Sequence, residues 1–230
     1  MTAPSCVEPS HRILRIAGAF ALSCASMATG VAVADDTGTP VEDVTLYALA
    51  TGIGPVQGTG AAMPLTIRLH GTRVRIDFDG PRGEDGYLLS HGGSRAWLVN
   101  ERADVALPIH SAARTMFRAD PAAPCAQIGA RCEPGQHEVI AGQLVQAWRY
   151  RDADGRGPDG TESGTLWVEP RSGLVLAFRG RVAGRDQVKE LRVTSMSRDA
   201  LDVSLFDLPR TLDQVDPRAP EPASTEARPD

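Results

Sequence analysis

Aromatic residues make up only 5% of this 230-residue chain, and lysine is scarcer still: Lys189 stands alone among 24 basic residues. Basic charge is not in excess either, because 29 acidic residues leave a net charge of −5. A chain without a basic surplus cannot neutralise a phosphate backbone, which excludes nucleic acid as the partner. Cysteine is limited to Cys6, Cys24, Cys125 and Cys132. Beyond the N-terminal stretch, no run is apolar enough to cross a membrane as a helix. What is present is a 42% hydrophobic share, enough for a packed core and too much for full disorder. The length fits one domain.

The first 34 residues read as an address. Arg12 and Arg15 give a positive start, and Ile16 to Val33 is apolar and rich in small residues. Ala32-Val33-Ala34 places small residues where signal peptidase admits them, and Asp35-Asp36 follows. The expectation is cleavage after Ala34 and export to the periplasm. A lipid anchor at Cys24 is the rival, and Ala21-Leu22-Ser23-Cys24 matches the required pattern only loosely. Residues 35–40 form a polar leader, 41–215 a single β-rich domain, and 216–230 a disordered tail rich in Pro, Ala, Glu and Arg. In an exported chain Cys125 and Cys132 are expected to form a disulfide. Closing so short a ring stabilises by about 2.5 kcal/mol in the chain-entropy model. A redox or metal pair is the other reading of these cysteines; redox pairs are usually closer in sequence, and no second Cys/His pair completes a zinc site.

Period-two alternation organises the domain. Leu65, Ile67 and Leu69 interleave with Thr66, Arg68 and His70; Gly71-Thr72 turns the chain; Val74, Ile76 and Phe78 then interleave with Arg73, Arg75, Asp77 and Asp79. This predicts a hairpin with one apolar and one charged face. Further strands are predicted at 87–90, 95–99, 105–107, 137–141, 143–151, 165–169, 174–182 and 187–196, joined by short turns such as Pro170-Arg171-Ser172-Gly173. Val41–Thr51 also reads as a strand. A short helix is predicted over Ser111–Arg118, and a terminal turn over Ser204–Leu208 that packs Leu205, Phe206 and Leu208 back on the sheet. A sheet of about ten antiparallel strands must cover its apolar face, either by closing into a barrel or by curving into a half-barrel plugged by a helix and loop.

Catalytic signatures are few. Ser90, Ser94 and Ser111 lack a Gly-x-Ser-x-Gly elbow, and Gly58-x-Gly60 and Gly92-Gly93 are not followed by the helix of a phosphate loop. His70, His91, His110 and His137 are dispersed, so no metal is expected. The segment Asp152 to Glu162 gathers four carboxylates and three glycines like a calcium loop. Arg156 and Ser163 nevertheless break the ligand pattern, leaving a solvated hairpin loop as the favoured reading. Arg68, Arg73, Arg75, Arg179, Arg181 and Arg192 share the polar phase of their strands, as a solvated outer face or an anion-facing one.

The order of motifs resembles a family. Arg73-Val-Arg-Ile-Asp77 is followed by Ala96-Trp-Leu-Val99, Cys132-x-x-Gly135, Val139-Ile-Ala-Gly142, Trp148, Leu166-Trp-Val-Glu169 with Gly173, and Leu205-Phe-Asp-Leu-Pro209. Over about residues 41–212 this resembles the uncharacterised exported proteins related to the LolA lipoprotein carriers. The resemblance implies an incomplete β-barrel, a curved antiparallel sheet with one or two short helices. It further implies a periplasmic scaffold for an apolar ligand or partner. One departure is visible: a strand occupies Val41–Thr51, where that family carries a long helix.

The functional expectation is a non-enzymatic periplasmic binding protein without cofactor. Its guest is an apolar small molecule, a lipid or the acyl chain of a lipidated protein. The candidate ligand face comprises Leu65, Ile67, Leu69, Val74, Ile76, Phe78, Leu176 and Phe178, with Trp148 and Trp167 of uncertain phase. That face is either a filled core or a pocket. The alternatives are an interaction module of a cell-envelope complex or stress-sensing system, and a hydrolase with unrecognised acidic residues.

Overall fold

Alternating side chains build one continuous sheet, because each strand carries an apolar phase that only neighbouring strands can shelter. The structure is a computed structural model that describes residues 42–53, 61–79, 85–92, 95–110, 116–210 and 212–214. The expected leader, Cys24, residues 35–40 and the tail 216–230 lie outside the described residues.

The strands are β1 (Asp43–Thr51), β2 (Met63–His70), β3 (Arg73–Phe78), β4 (Gly86–Ser90), β5 (Arg95–Asn100), β6 (Val105–His110), β7 (Arg131–Ile140), β8 (Gln143–Arg151), β9 (Ser163–Val168), β10 (Val175–Arg181), β11 (Val188–Ser197) and β12 (Asp213–Gln214). They form one sheet in the order β12-β6-β5-β4-β3-β2-β1-β11-β10-β9-β8-β7. Neighbours are antiparallel except β12, which runs parallel to β6 at Val105 and Ala106. The two ends do not meet, so the sheet is open rather than a closed barrel. The fold class is therefore mainly β and antiparallel, as the alternation predicts. The first strand lies at the middle, hydrogen-bonded to β2 on one side and to β11 on the other.

Three departures from the expected elements have local causes. The first is β7, which begins at Arg131 rather than at residue 137. Pro134-Gly135 lies within it, because β7 is an edge strand whose register shifts between Pro134 and His137, and an edge bulge tolerates proline. The second is the helix expected over Ser111–Arg118. Residues 111–115 lie outside the description, Met116 and Phe117 are helical, and Arg118 already bridges Leu174 as extended chain. The third is β12, whose two residues are too few to carry a periodicity.

The segment 116–130 packs Phe117, Ala119, Cys125 and Ile128 into the main core cluster. It is pinned where the Ala119 N–H donates to the Gly173 carbonyl at 2.8 Å. Gly173 has φ +72°, and a Cβ there would lie 2.1 Å from the Ala119 oxygen, so the docking depends on glycine. The Glu169 carboxylate shapes the same turn by accepting from the Ser172 N–H at 2.9 Å. Cys125 and Cys132 form a disulfide with Cα atoms 5.9 Å apart, tying this segment to β7.

Candidate functional site

Strand registers sort the side chains into rows that cross the sheet. One row runs Met196, Leu46, Ile67, Ile76, Leu88, Leu98, Leu107, from β11 to β6. Its six spacings cover about 29 Å. A second runs Val44, Leu69, Val74, Ser90, Ala96, Ile109. On the other side of β1, Met63, Ala50, Leu191, Phe178, Leu166 and Trp148 are paired in turn. These rows lie on one apolar face.

The face is not uniformly covered. Leu46 and Ile67 are fully buried, Ile76 and Leu88 half-buried, and Leu98 is 37% exposed. Leu107 and Ile109 at the end of their rows are half-buried. Burial thus falls from Ile67 to Leu98 on β5 and partly recovers at Leu107 on β6, while Met196 at the other end of the row is also half-buried. Within the second row the Ser90 hydroxyl is buried and has no hydrogen-bond partner among the described residues. Such a hydroxyl costs about 1–3 kcal/mol when left unpaired.

The residues expected on the ligand face divide accordingly. Leu65, Ile67, Leu69, Val74, Leu176 and Phe178 are buried in the main core, while Ile76, Phe78, Trp148 and Trp167 are half-buried against it. Leu65 pairs with Phe78, Ile67 with Ile76 and Leu69 with Val74, so the six hairpin residues share a face. Trp148 joins them through Leu166 and Phe178. Trp167 belongs to the opposite phase, in the row Ala147, Trp167, Ala177, Arg192, Leu49, Pro64. Leu88, Leu98, Leu107 and Ile109, which extend the face to its exposed end, were not legible as site residues. Their strands are too short to phase alone, and only the register aligns them with Ile67.

The opposite face carries a second core. Tyr87, Leu89, Val99 and Ala106 pack with Phe206 and Leu212, joined by Leu205 and Leu208. The C-terminal strap, residues 201–208, is held by polar side chains of β1 and β3 and by His91. Phe206 O accepts from the His91 ring at 2.7 Å, Leu205 O from Arg75 at 3.1 Å, and the Asp43 carboxylate accepts from the Leu201 N–H at 2.8 Å. Asp43 also bonds the His70 ring at 2.7 Å. Burial opposes the charge on Asp43, but the Leu201 and His70 contacts outweigh it and hold its pKa below the usual value. Arg75 lies 3.7 Å from the Tyr87 ring centre while pairing with Asp77, so this polar phase is a structural network.

The acidic loop between β8 and β9 is also structural. Asp159 accepts from Lys189 Nζ at 2.7 Å, and its carbonyl accepts from the same ammonium at 2.8 Å. The chain's single lysine is therefore buried and paired. Beside it the Tyr150 hydroxyl bonds the Thr161 hydroxyl at 2.6 Å over Gly164 and Gly180, and burial pushes the phenol up to about 12. Among the described residues, no group of three or more His, Cys, Asp or Glu side chains is placed to hold a metal. A shallow cleft of about 330 Å³ lies beside these glycines, lined by Ser163, Gly164, Arg179, Gly180, Arg181 and Val188, and none of the expected ligand-face residues lines it.

No family model and no curated protein matches this chain. Its structure is similar to that of an uncharacterized conserved protein from Thermus thermophilus, with 11% identity and a TM-score of 0.48 over 76% of this chain and 90% of that one. It is similar to the Pseudomonas aeruginosa MucA/MucB complex structure, with 13% identity and a TM-score of 0.45 over 76% of this chain and 58% of that one. A LolA superfamily protein from Nitrosomonas europaea is similar with 13% identity and a TM-score of 0.34, covering 73% and 90% of the two chains.

Proposed function

We propose that this chain is an exported, non-enzymatic binding protein that holds an apolar ligand, a lipid or the acyl chain of a lipoprotein. The observation that carries this reading is the burial gradient along the row from Ile67, fully buried, to Leu98, 37% exposed. A sheet built only to fold gains by covering its whole apolar face. Here a strip of aliphatic side chains over β3 to β6 is left half-wet, and burying it under a ligand returns roughly 25 cal/mol per Å².

The test is native mass spectrometry of protein expressed with its own leader and recovered from the periplasm. The expected result is a processed chain carrying a bound lipid. The adduct should be absent from a Leu98→Asp, Leu107→Asp variant that still unfolds cooperatively. Recovery of unbound protein, or an adduct indifferent to these substitutions, would overturn the proposal.

A further inference from the structure

The outer edge of β7 lies apart from the row that runs from Ile67 to Leu98. The β7–β8 hairpin turns through Ala141 and Gly142, with φ +50° and +75°, the geometry of a two-residue primed turn. Ile140 and Gln143 flank it, so they form a hydrogen-bonded pair. The pairs then alternate. Val139 with Leu144 and His137 with Gln146 are the non-hydrogen-bonded pairs. The N–H and C=O groups of Val139 and His137 therefore point away from β8. Among the described residues no strand pairs with that outer edge.

The upstream half of β7 is guarded by Pro134 and the bulge beside it, but residues 137–140 have no such device. Val139 and Leu144 are large, apolar and well exposed, at 64% and 58%, on the side of the hairpin that carries Trp148, whereas Glu138 faces the other way.

This edge does not stand clear of the sheet. Glu138 accepts from Arg192 at 3.2 Å, although β7 and β11 are four spacings apart in the strand order. In a flat sheet that is about 19 Å, beyond the joint reach of the two side chains. The ribbon must coil so that the hairpin returns over the polar face. Arg192 stands opposite Leu49 in the β1–β11 ladder. Leu49 and Tyr47, on a central strand whose polar face is otherwise hydrophilic, are each 46% exposed. The latch thus brings the unprotected edge toward two exposed apolar side chains.

We infer that this edge takes an extended peptide segment with alternating apolar residues, which adds a strand beside His137–Ile140 and lays side chains toward Leu49 and Tyr47. Four outward backbone groups on two alternate residues are the pattern that a strand satisfies. An overlap limited to residues 137–140 buries too little surface for a stable dimer of this chain. Self-pairing would also set Glu138 against its own copy, which like charges oppose.

The probe is a capped eight-residue peptide of alternating valine and threonine, compared with the same peptide N-methylated at alternate residues. Binding is followed by amide exchange and chemical shifts. The expected result is slowed exchange at the His137 and Val139 amides, with shifts at Leu49, and loss of both with the N-methylated peptide. Val139→Pro removes an outward N–H without touching the β8 ladder and should weaken binding at least about tenfold. Leu49→Asp, at an exposed position, should weaken it comparably while leaving the edge intact. Protection at other strands, binding unchanged in both variants, or no binding at about 1 mM peptide would overturn the inference.

Discussion

Truncating side chains along the row from Ile67 to Leu98 separates a filled core from a ligand face. Ile67 is fully buried between Leu46 and Ile76, so Ile67→Ala loses its transfer free energy and leaves a cavity, about 3–4 kcal/mol together. Leu98→Ala also removes three carbons, about 2.4 kcal/mol if fully buried. Leu98 is 37% exposed, and solvent replaces what is removed. The cost therefore falls to about 1.5 kcal/mol with no cavity contribution. With a urea slope of about 2 kcal/mol per molar, the midpoints move by about 1.7 M and 0.7 M. Fluorescence of Trp97, Trp148 and Trp167, all half-buried, reports the transition on lipid-stripped protein. Equal midpoint shifts for the two variants would show the row to be packed solid and would refute the reasoning.

Three further outcomes are expected. Phe206→Ala should cost about 3–4 kcal/mol by thermal or urea unfolding, because Phe206 is fully buried in the second core; a cost near zero would mean the strap does not seal that face. Asp159→Ala removes the carboxylate paired with the buried Lys189 ammonium, leaving it only the residue-159 carbonyl, and should cost about 2 kcal/mol; adding Lys189→Met should recover much of it, read as a double-mutant cycle. Tyr150 is neutral in the fold up to about pH 12, whereas an unfolded tyrosine ionises near 10.0. Its contribution is therefore complete below pH 10 and is lost as pH rises toward 12. Phenolate absorbance should show its late ionisation, and Tyr150→Phe should flatten that part of the stability curve.

The relation between sequence and structure is clearest on the two faces of β2 and β3. Alternation alone placed Leu65, Ile67, Leu69, Val74, Ile76 and Phe78 together, because a pleated strand sends successive side chains to opposite sides. The short apolar stretch before Pro209 separately marked Leu205, Phe206 and Leu208 as a turn returning to the sheet. Alternation began β7 only at residue 137, whereas an edge bulge carries that strand back through Pro134-Gly135 to Arg131. It was silent on Trp167, whose phase depends on a neighbour's register.

What the sequence settled by itself was local: which residues are strand, which phase is apolar, and which two cysteines of the domain are close enough to pair. The tertiary structure alone decided that β1 sits between β2 and β11, that Ile67 and Leu98 share one row, that Lys189 meets Asp159, and that Glu138 returns to Arg192. Periodicity is a property of consecutive residues. Register and coiling are set by contacts between segments far apart in the chain, 54 residues in the case of Glu138 and Arg192. Their energies depend on the whole ribbon, and no window along the chain contains them.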